Sequence, residues 1–159
     1  MALKLDTRKL QIIDRLVGVP LCASLTLVRR LTGGRFVPER VEVPRKVLFV
    51  KLAEQGSTVL AYPAISQAIQ LVGRENVFFL VFEENRFILD AMGLIPPENV
   101  ITIRHKQPLE LAWQAFRALM RVRRERLDAA VDLEFFSRGS AILTFLSGAR
   151  QRCGKWTVS

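Results

Sequence analysis

The hydrophobic residues after position 46 fall in short apolar runs separated by longer stretches with helical spacing. The runs are rich in β-branched and aromatic residues, which is typical of strands buried on both faces of a sheet. They lie at residues 46–52, 76–82, 100–104 and 127–133, and residues 152–157 are predicted to form a fifth strand. The intervening stretches predict helices over residues 58–72, 84–92, 108–124 and 137–146. Strands that alternate with helices predict right-handed parallel βαβ units, so the expected fold class is α/β, a Rossmann-like parallel sheet with flanking helices.

Local signals refine the predicted helices. Ser57 is a natural N-cap for the first helix, and Pro63 is expected to bend its first turn. Gly93 is a plausible glycine immediately after the second helix. The third helix is amphipathic, and one of its faces carries Leu109, Ala112, Phe116 and Leu119.

The first 45 residues have a different pattern. Residues 16–28 form an uncharged run bounded by arginines. As a helix the run would span roughly 20 Å, short of a bilayer core of about 30 Å, and Pro20 would interrupt it. We therefore expect residues 1–31 to form a hydrophobic helical segment at a membrane interface; packing on the domain or on a partner, and a signal peptide or true span, stay open. Residues 32–45 are rich in Gly, Pro and charge and are interpreted as a linker, so the domain should cover residues 46–159.

Charge and rare residues exclude several classes of function. The net charge is +9, and most of the basic excess precedes residue 47, which suits an anionic partner. The basic run at 121–126 lacks the aromatic interleaving of a nucleic-acid binder and is expected to be a solvated helix end. Cys22 and Cys153 have no disulfide or metal-ligand spacing, and His105 is expected in an exposed loop without a catalytic partner. A reducing, cytoplasmic setting without a structural metal follows.

Ligands in parallel α/β sheets bind beyond the carboxyl ends of the strands, which directs attention to residues 53–58 and 134–140. In the first loop, Gly56, Ser57 and Thr58 stand where a helix begins and where backbone N–H groups attract an anion. The loop is neither a GxGxxG fingerprint nor a Walker A loop, and a plain capped helix is the alternative.

The second loop follows the fourth predicted strand. Asp132 ends that strand, and Arg138 and Ser140 lie at the start of the next helix. Arginine suits phosphate or carboxylate recognition. The alternative is that Asp132 caps locally and Arg138 is solvated.

Taken together and in this order, the two loops resemble glycosyltransferase family 9, which includes the ADP-heptose:lipopolysaccharide heptosyltransferases. The resemblance rests on KVLFVKLAEQGSTVLAYPAI at 46–65 and on DLEFFSRGSAILTFLSGARQRCGKW at 132–156. It implies the N-terminal half of a GT-B fold, which holds a lipid-linked, phosphorylated glycan acceptor at the inner face of the bacterial inner membrane. The nucleotide-sugar donor, ADP-linked in the heptosyltransferases, would bind a C-terminal domain. Transfer would be inverting and metal-independent, with a carboxylate as base and no resident cofactor.

Two departures from the family pattern define the open alternatives. Ser57 occupies the position of the family's acidic base, and Glu54 is the nearest carboxylate in the loop that could replace it. The chain also ends where a donor domain should follow, so we expect a fragment, a truncated gene product or one half of a split enzyme. The alternative is a non-catalytic Rossmann-like binding or scaffold protein, and a stand-alone flavodoxin-like phosphate binder is a weaker third.

Overall fold

A computed structural model describes residues 43–53, 55–104, 107–134 and 137–154, with the backbone but not the side chains of Gln55 and Ser57. The strands are β1 (Val47–Val50), β2 (Val77–Phe82), β3 (Val100–Ile103), β4 (Ala129–Asp132) and β5 (Gln151–Cys153). The α-helices are α1 (Gln55–Leu60), α2 (Tyr62–Val72), α3 (Arg86–Met92), α4 (Pro108–Arg124) and α5 (Arg138–Leu146). Single 3-10 turns precede β2, α3 and β3, at Arg74–Asn76, Glu83–Asn85 and Pro97–Asn99.

All five strands form one parallel sheet in the order β3-β2-β1-β4-β5. The central strand β1 pairs with β2 on one side and with β4 on the other. The predicted α/β class and parallel sheet are therefore confirmed. The expectations for residues 1–31, for Glu54 and for His105 lie outside the described residues.

The two sheet faces are covered by different helices because neighbouring strand residues point to opposite faces. On one face, Val47 and Phe49 join a buried cluster with Ile65 of α2 and Leu89 of α3. On the other face, alternate strand residues pack with a second set of apolar side chains from α4 and α5, namely Ala118, Val122 and Leu143. Nearly all side chains of β1, β2 and β3 are buried, which explains why these three strands appear in the sequence as continuous apolar runs.

The helix predicted over 58–72 is instead two helices. The first begins at Gln55, so Ser57 lies inside its first turn and the N-cap prediction is wrong. The chain turns at Ala61, and Pro63 follows in the first turn of α2. A proline fits there because the N–H groups of a first helical turn have no intrahelical acceptor to lose.

Most of the predicted apolar face of α4 is exposed. Leu109 and Phe116 are 86% and 51% exposed, Ala112 is exposed as well, and Leu119 is half-buried. The face that packs on the sheet carries smaller side chains and is formed by Leu111, Ala115, Ala118 and Val122. Small residues let a helix approach a sheet closely, so residue size decided which face became core.

The glycine predicted to follow the second helix is confirmed. Gly93 follows α3 in the left-handed conformation with φ 63°, and its N–H donates to the carbonyl of Leu89. Gly148 follows α5 with φ 82°. Both positions require a backbone conformation that glycine adopts without a steric cost.

Candidate functional site at the carboxyl edge of the sheet

The carboxyl ends of β1 and β4 lie side by side at a reversal of the strand order. Val50, the last residue of β1, is in register with Asp132, the last residue of β4. From β1 the chain runs into helices on one sheet face, and from β4 it runs into α5 on the other. Loops that leave neighbouring strands in opposite directions open a crevice, the usual ligand position in this class of fold.

A buried ion pair joins the two loops at this edge of the sheet. Lys51 follows β1 and is 1% exposed, and its Nζ lies 3.4 Å from Oε2 of Glu134, which follows β4. The same carboxylate oxygen accepts the backbone N–H of Leu52 at 3.1 Å. The buried amide of Asn85 donates to the Leu52 carbonyl at 2.9 Å. Burying two charges is costly unless they are paired and hydrogen-bonded, and this network supplies both requirements.

Asp132 lies next to this pair and has a different environment. One carboxylate oxygen accepts the backbone N–H of Glu134 at 3.0 Å, and the other accepts the hydroxyl of Ser140 at 3.0 Å. Burial raises the pKa of Asp132 from 3.8 to about 6; the two hydrogen bonds lower it, the Glu134 charge raises it and the Lys51 charge lowers it. A carboxylate with such a pKa exchanges protons close to neutral pH, as a general base must.

The surrounding backbone fixes Asp132 in place. The hydroxyl of Ser137 caps α5 by accepting the N–H of Ser140 at 3.3 Å, which orients the helix start. After β5 the chain passes so close that a Cβ at Gly154 would lie 2.8 Å from the Cβ of Asp132. Only glycine leaves room for this approach, which adds to the burial of the carboxylate.

The sequence-predicted residues divide between surface and interior. Gly56 and Arg138 are exposed at the starts of α1 and α5, so both are on the ligand side of the fold. Thr58 and Ser140 are buried, at 1% and 0% exposure, and neither offers its side chain to a ligand on the surface. Ser140 acts through its hydrogen bond to Asp132, so the interpretation of Asp132 as a local hydrogen-bonding group is also correct in part.

Sequence reasoning missed Lys51, Glu134 and Asn85 as a network. A lysine at the end of an otherwise apolar strand, KVLFVKL, was a usable signal, because a buried lysine requires an anionic partner. Nothing in the local sequence marks Asn85, whose role appears only when its 3-10 turn is placed beside the loop after β1.

Two basic cavities lie away from this edge. One, of about 600 Å³, is lined by side chains of β3 and α4 and by Arg104. The other, of about 790 Å³, lies at the amino edge of the sheet and includes Arg45 and Arg150. Neither cavity is lined by Lys51 or Asp132.

Within the described ranges, no group of three or more His, Cys, Asp or Glu side chains is arranged to hold a metal ion. No helix in those ranges is long and apolar enough to cross a bilayer. Comparisons of the chain with models of known protein families, with curated proteins and with solved structures gave no match.

Proposed function

We propose that this chain is the acceptor-side domain of a heptosyltransferase-like glycosyltransferase, which works with a donor-binding domain at the inner face of the bacterial inner membrane. The observation that carries the proposal is the paired register of β1 and β4, which brings the loops at 53–58 and 134–140 to one edge of the sheet. These are the two segments on which the family resemblance rests. The proposed acceptor is a phosphorylated, lipid-linked glycan.

Arg138 supports an anionic acceptor. Arg138 is exposed at the first residue of α5, the helix that follows the strand ending in Asp132. Arginine binds phosphate through paired N–H donors, and each charge-assisted bond contributes about 1.5–3 kcal/mol. The predicted contact between Arg138 and an acceptor phosphate therefore has a suitable donor at the suitable edge.

Asp132 is the described carboxylate best suited to serve as base. Glu134 is engaged by the Lys51 ammonium and by the Leu52 N–H, so its carboxylate already has two partners inside the protein. Asp132 is only partly buried and titrates near pH 6. In the proposed step the acceptor oxygen bonds to the anomeric carbon, the bond to the nucleoside diphosphate breaks, and the hydroxyl proton passes to Asp132. Glu54 stays a second candidate for this role.

Acceptor binding tests the proposal on the chain itself. Lipopolysaccharide from a heptose-deficient strain is titrated against the full chain, with the dephosphorylated form as comparison. We expect saturable binding that needs phosphate and that weakens about tenfold or more in Arg138→Gln. Arg150→Gln removes an equal charge at the amino edge and should bind as the wild type does. Absence of phosphate-dependent binding, or an equal effect of the two variants, would reject the acceptor assignment.

Transfer separates the enzyme from the alternative of a non-catalytic binding protein, which the serine at position 57 favours. Transfer of labelled heptose from ADP-heptose to the same acceptor is measured with a donor-binding half of a heptosyltransferase supplied in trans. An active pair should lose about a hundredfold in rate in Asp132→Asn, since general-base catalysis typically contributes 10²–10⁴-fold. Saturable acceptor binding without transfer would instead identify a binding or scaffold protein.

A further inference from the structure

Helix α4 presents an apolar row to solvent. Leu109, Trp113 and Phe116 follow one another at helical spacing and are 86%, 60% and 51% exposed. The rings of Trp113 and Phe116 stack with centroids 6.0 Å apart. The opposite face of the helix is already buried against the sheet through Ala118 and Val122. The exposed row is therefore not part of the hydrophobic core. A contiguous exposed apolar patch of this kind is typical of a contact surface.

The second half of the same outward face is basic. Arg117, Arg121 and Arg124 repeat at the spacing of the apolar row and are exposed. They line the cavity of about 600 Å³ between α4 and β3, and Phe116 lines it too. Arg121 donates to the backbone carbonyl of Glu98. This acceptor is neutral, so the contact does not compensate the positive charge of Arg121. An apolar row and an anion-attracting cavity thus adjoin at Phe116.

We infer that the outward face of α4 and its adjoining cavity form a docking surface for a bilayer that contains anionic phospholipids. Interfacial helices place Trp, Phe and Leu at the acyl boundary and arginines at the headgroup phosphates. A bilayer supplies hydrocarbon and negative charge next to each other, as this face requires. A second copy of the chain would match the apolar row but would add another set of arginines. This surface is formed by residues of α4 and β3.

The apolar half of α4 precedes its basic half along the chain, and this order fixes how the domain would be oriented on the bilayer. Helix α4 begins after the carboxyl end of β3, so Leu109 lies in the turn nearest that edge of the sheet. Insertion of the apolar half brings the edge that carries Asp132 toward the headgroups. The inference does not depend on glycosyl transfer, although it would place a lipid-linked acceptor close to the candidate site.

Trp113 reports directly on this contact. The chain has two tryptophans, so the full chain with Trp156→Phe leaves Trp113 as the single emitter. The probes are vesicles of phosphatidylcholine with and without phosphatidylglycerol, and with brominated acyl chains as quencher. We expect a blue shift and bromine quenching with phosphatidylglycerol, and little change without it. Co-sedimentation of the chain with vesicles while Trp113 stays unquenched would overturn the inference, and so would a concentration-dependent blue shift that needs no vesicles and indicates a second copy.

Matched variants of the full chain test the two halves separately. Arg117→Gln with Arg124→Gln should weaken vesicle binding at least about tenfold, since each arginine near an anionic surface strengthens the attraction to the bilayer severalfold. Arg45→Gln with Arg150→Gln removes the same charge at the amino edge and should have a smaller effect.

The apolar pair has its own matched control. Leu109→Gln with Phe116→Gln should reduce vesicle binding and Trp113 quenching. Leu71→Gln with Phe87→Gln changes residues of the same types, 63% and 58% exposed, in the helical layer on the other sheet face. Circular dichroism verifies that each variant is folded. If the α4 variants bind vesicles as the controls do, α4 is not the docking surface.

Discussion

Two lysine–glutamate pairs flank β1, and they differ in almost nothing except their surroundings. At the amino end, Lys46 lies 3.3 Å from Glu125, with side chains 35% and 33% exposed. At the carboxyl end, Lys51 lies 3.4 Å from Glu134, with side chains 1% and 7% exposed. Water screens the first pair, whereas the second pair is buried in a medium of low polarity. Similar distances therefore correspond to very different electrostatic energies.

The carboxyl edge of the sheet therefore contains a buried charged pair, whereas the charged pair at the amino edge is partly exposed. A buried pair seldom stabilises a fold more than apolar residues of the same volume would, because both charges must leave water. Here the charges hold the loops after β1 and β4 together and adjoin Asp132, whose pKa is raised. Buried charges with a high desolvation cost, concentrated at one edge of a sheet, are typical of a functional site. The amino edge, whose charges face water, resembles an ordinary protein surface.

Removal of one glutamate from each pair should give the largest contrast. Glu134→Gln removes the carboxylate that pairs with the buried Lys51 ammonium and leaves Asp132 as the neighbouring negative charge, and we expect the free energy of unfolding to fall by about 3–5 kcal/mol. Glu125→Gln should lower it by less than about 1 kcal/mol, because Lys46 can be hydrated instead. Urea unfolding of the full chain at neutral pH measures both.

A double variant separates lost pairing from lost packing. Lys51→Met with Glu134→Leu removes both charges and should be more stable than Glu134→Gln alone, although the Leu52 N–H then lacks its acceptor. If Glu134→Gln and Glu125→Gln destabilise the chain equally, burial does not distinguish the two pairs and the comparison fails.

Asp132 should give a smaller effect that depends on pH. Its pKa is raised from 3.8 to about 6 in the folded chain, so between these values the folded state holds more protons than the unfolded state. The free energy of unfolding should therefore fall as pH rises from about 4 to about 6. After allowance for the partial exposure of Asp132, the fall should be on the order of 1 kcal/mol.

Asp132→Asn removes this titration. The difference in the free energy of unfolding between wild type and variant should therefore change from about pH 4 to about pH 6 and stay constant above that range. Ser140→Ala removes a hydrogen bond to the ionised carboxylate and should shift the window to higher pH. Parallel stability curves for wild type and Asp132→Asn between pH 4 and 7 would contradict the raised pKa.

The sequence predicted what depends on periodicity and missed what depends on contact between distant segments. Apolar runs were sufficient to place the first four strands, because the strands inside such a sheet are covered on both faces. Asp132 and Arg138 followed from the rule that ligands lie beyond carboxyl ends. The pair Lys51–Glu134 joins residues 83 positions apart.

Helix faces were harder to predict from the sequence. In α4 both faces carry apolar residues, and hydrophobicity alone favoured the face with Leu109 and Phe116. The face with Ala118 and Val122 is the one buried in the core, because its smaller side chains let the helix pack closer to the sheet. In the first helix, Pro63 marked the start of a separate helix rather than a bend.

The smallest expected difference between the two pairs is their response to salt. The Debye length shrinks from about 10 Å at 0.1 M to about 3 Å at 1 M, which screens charges that face water. In a double-mutant cycle of Lys46→Gln and Glu125→Gln, the coupling should be about 0.2–1 kcal/mol at low salt and should vanish at 1 M sodium chloride. The corresponding cycle of Lys51→Met and Glu134→Gln should keep most of its coupling at 1 M, because little solvent reaches that pair. Loss of both couplings with salt would mean that water enters the carboxyl edge, and the buried network could not then hold the two loops as described.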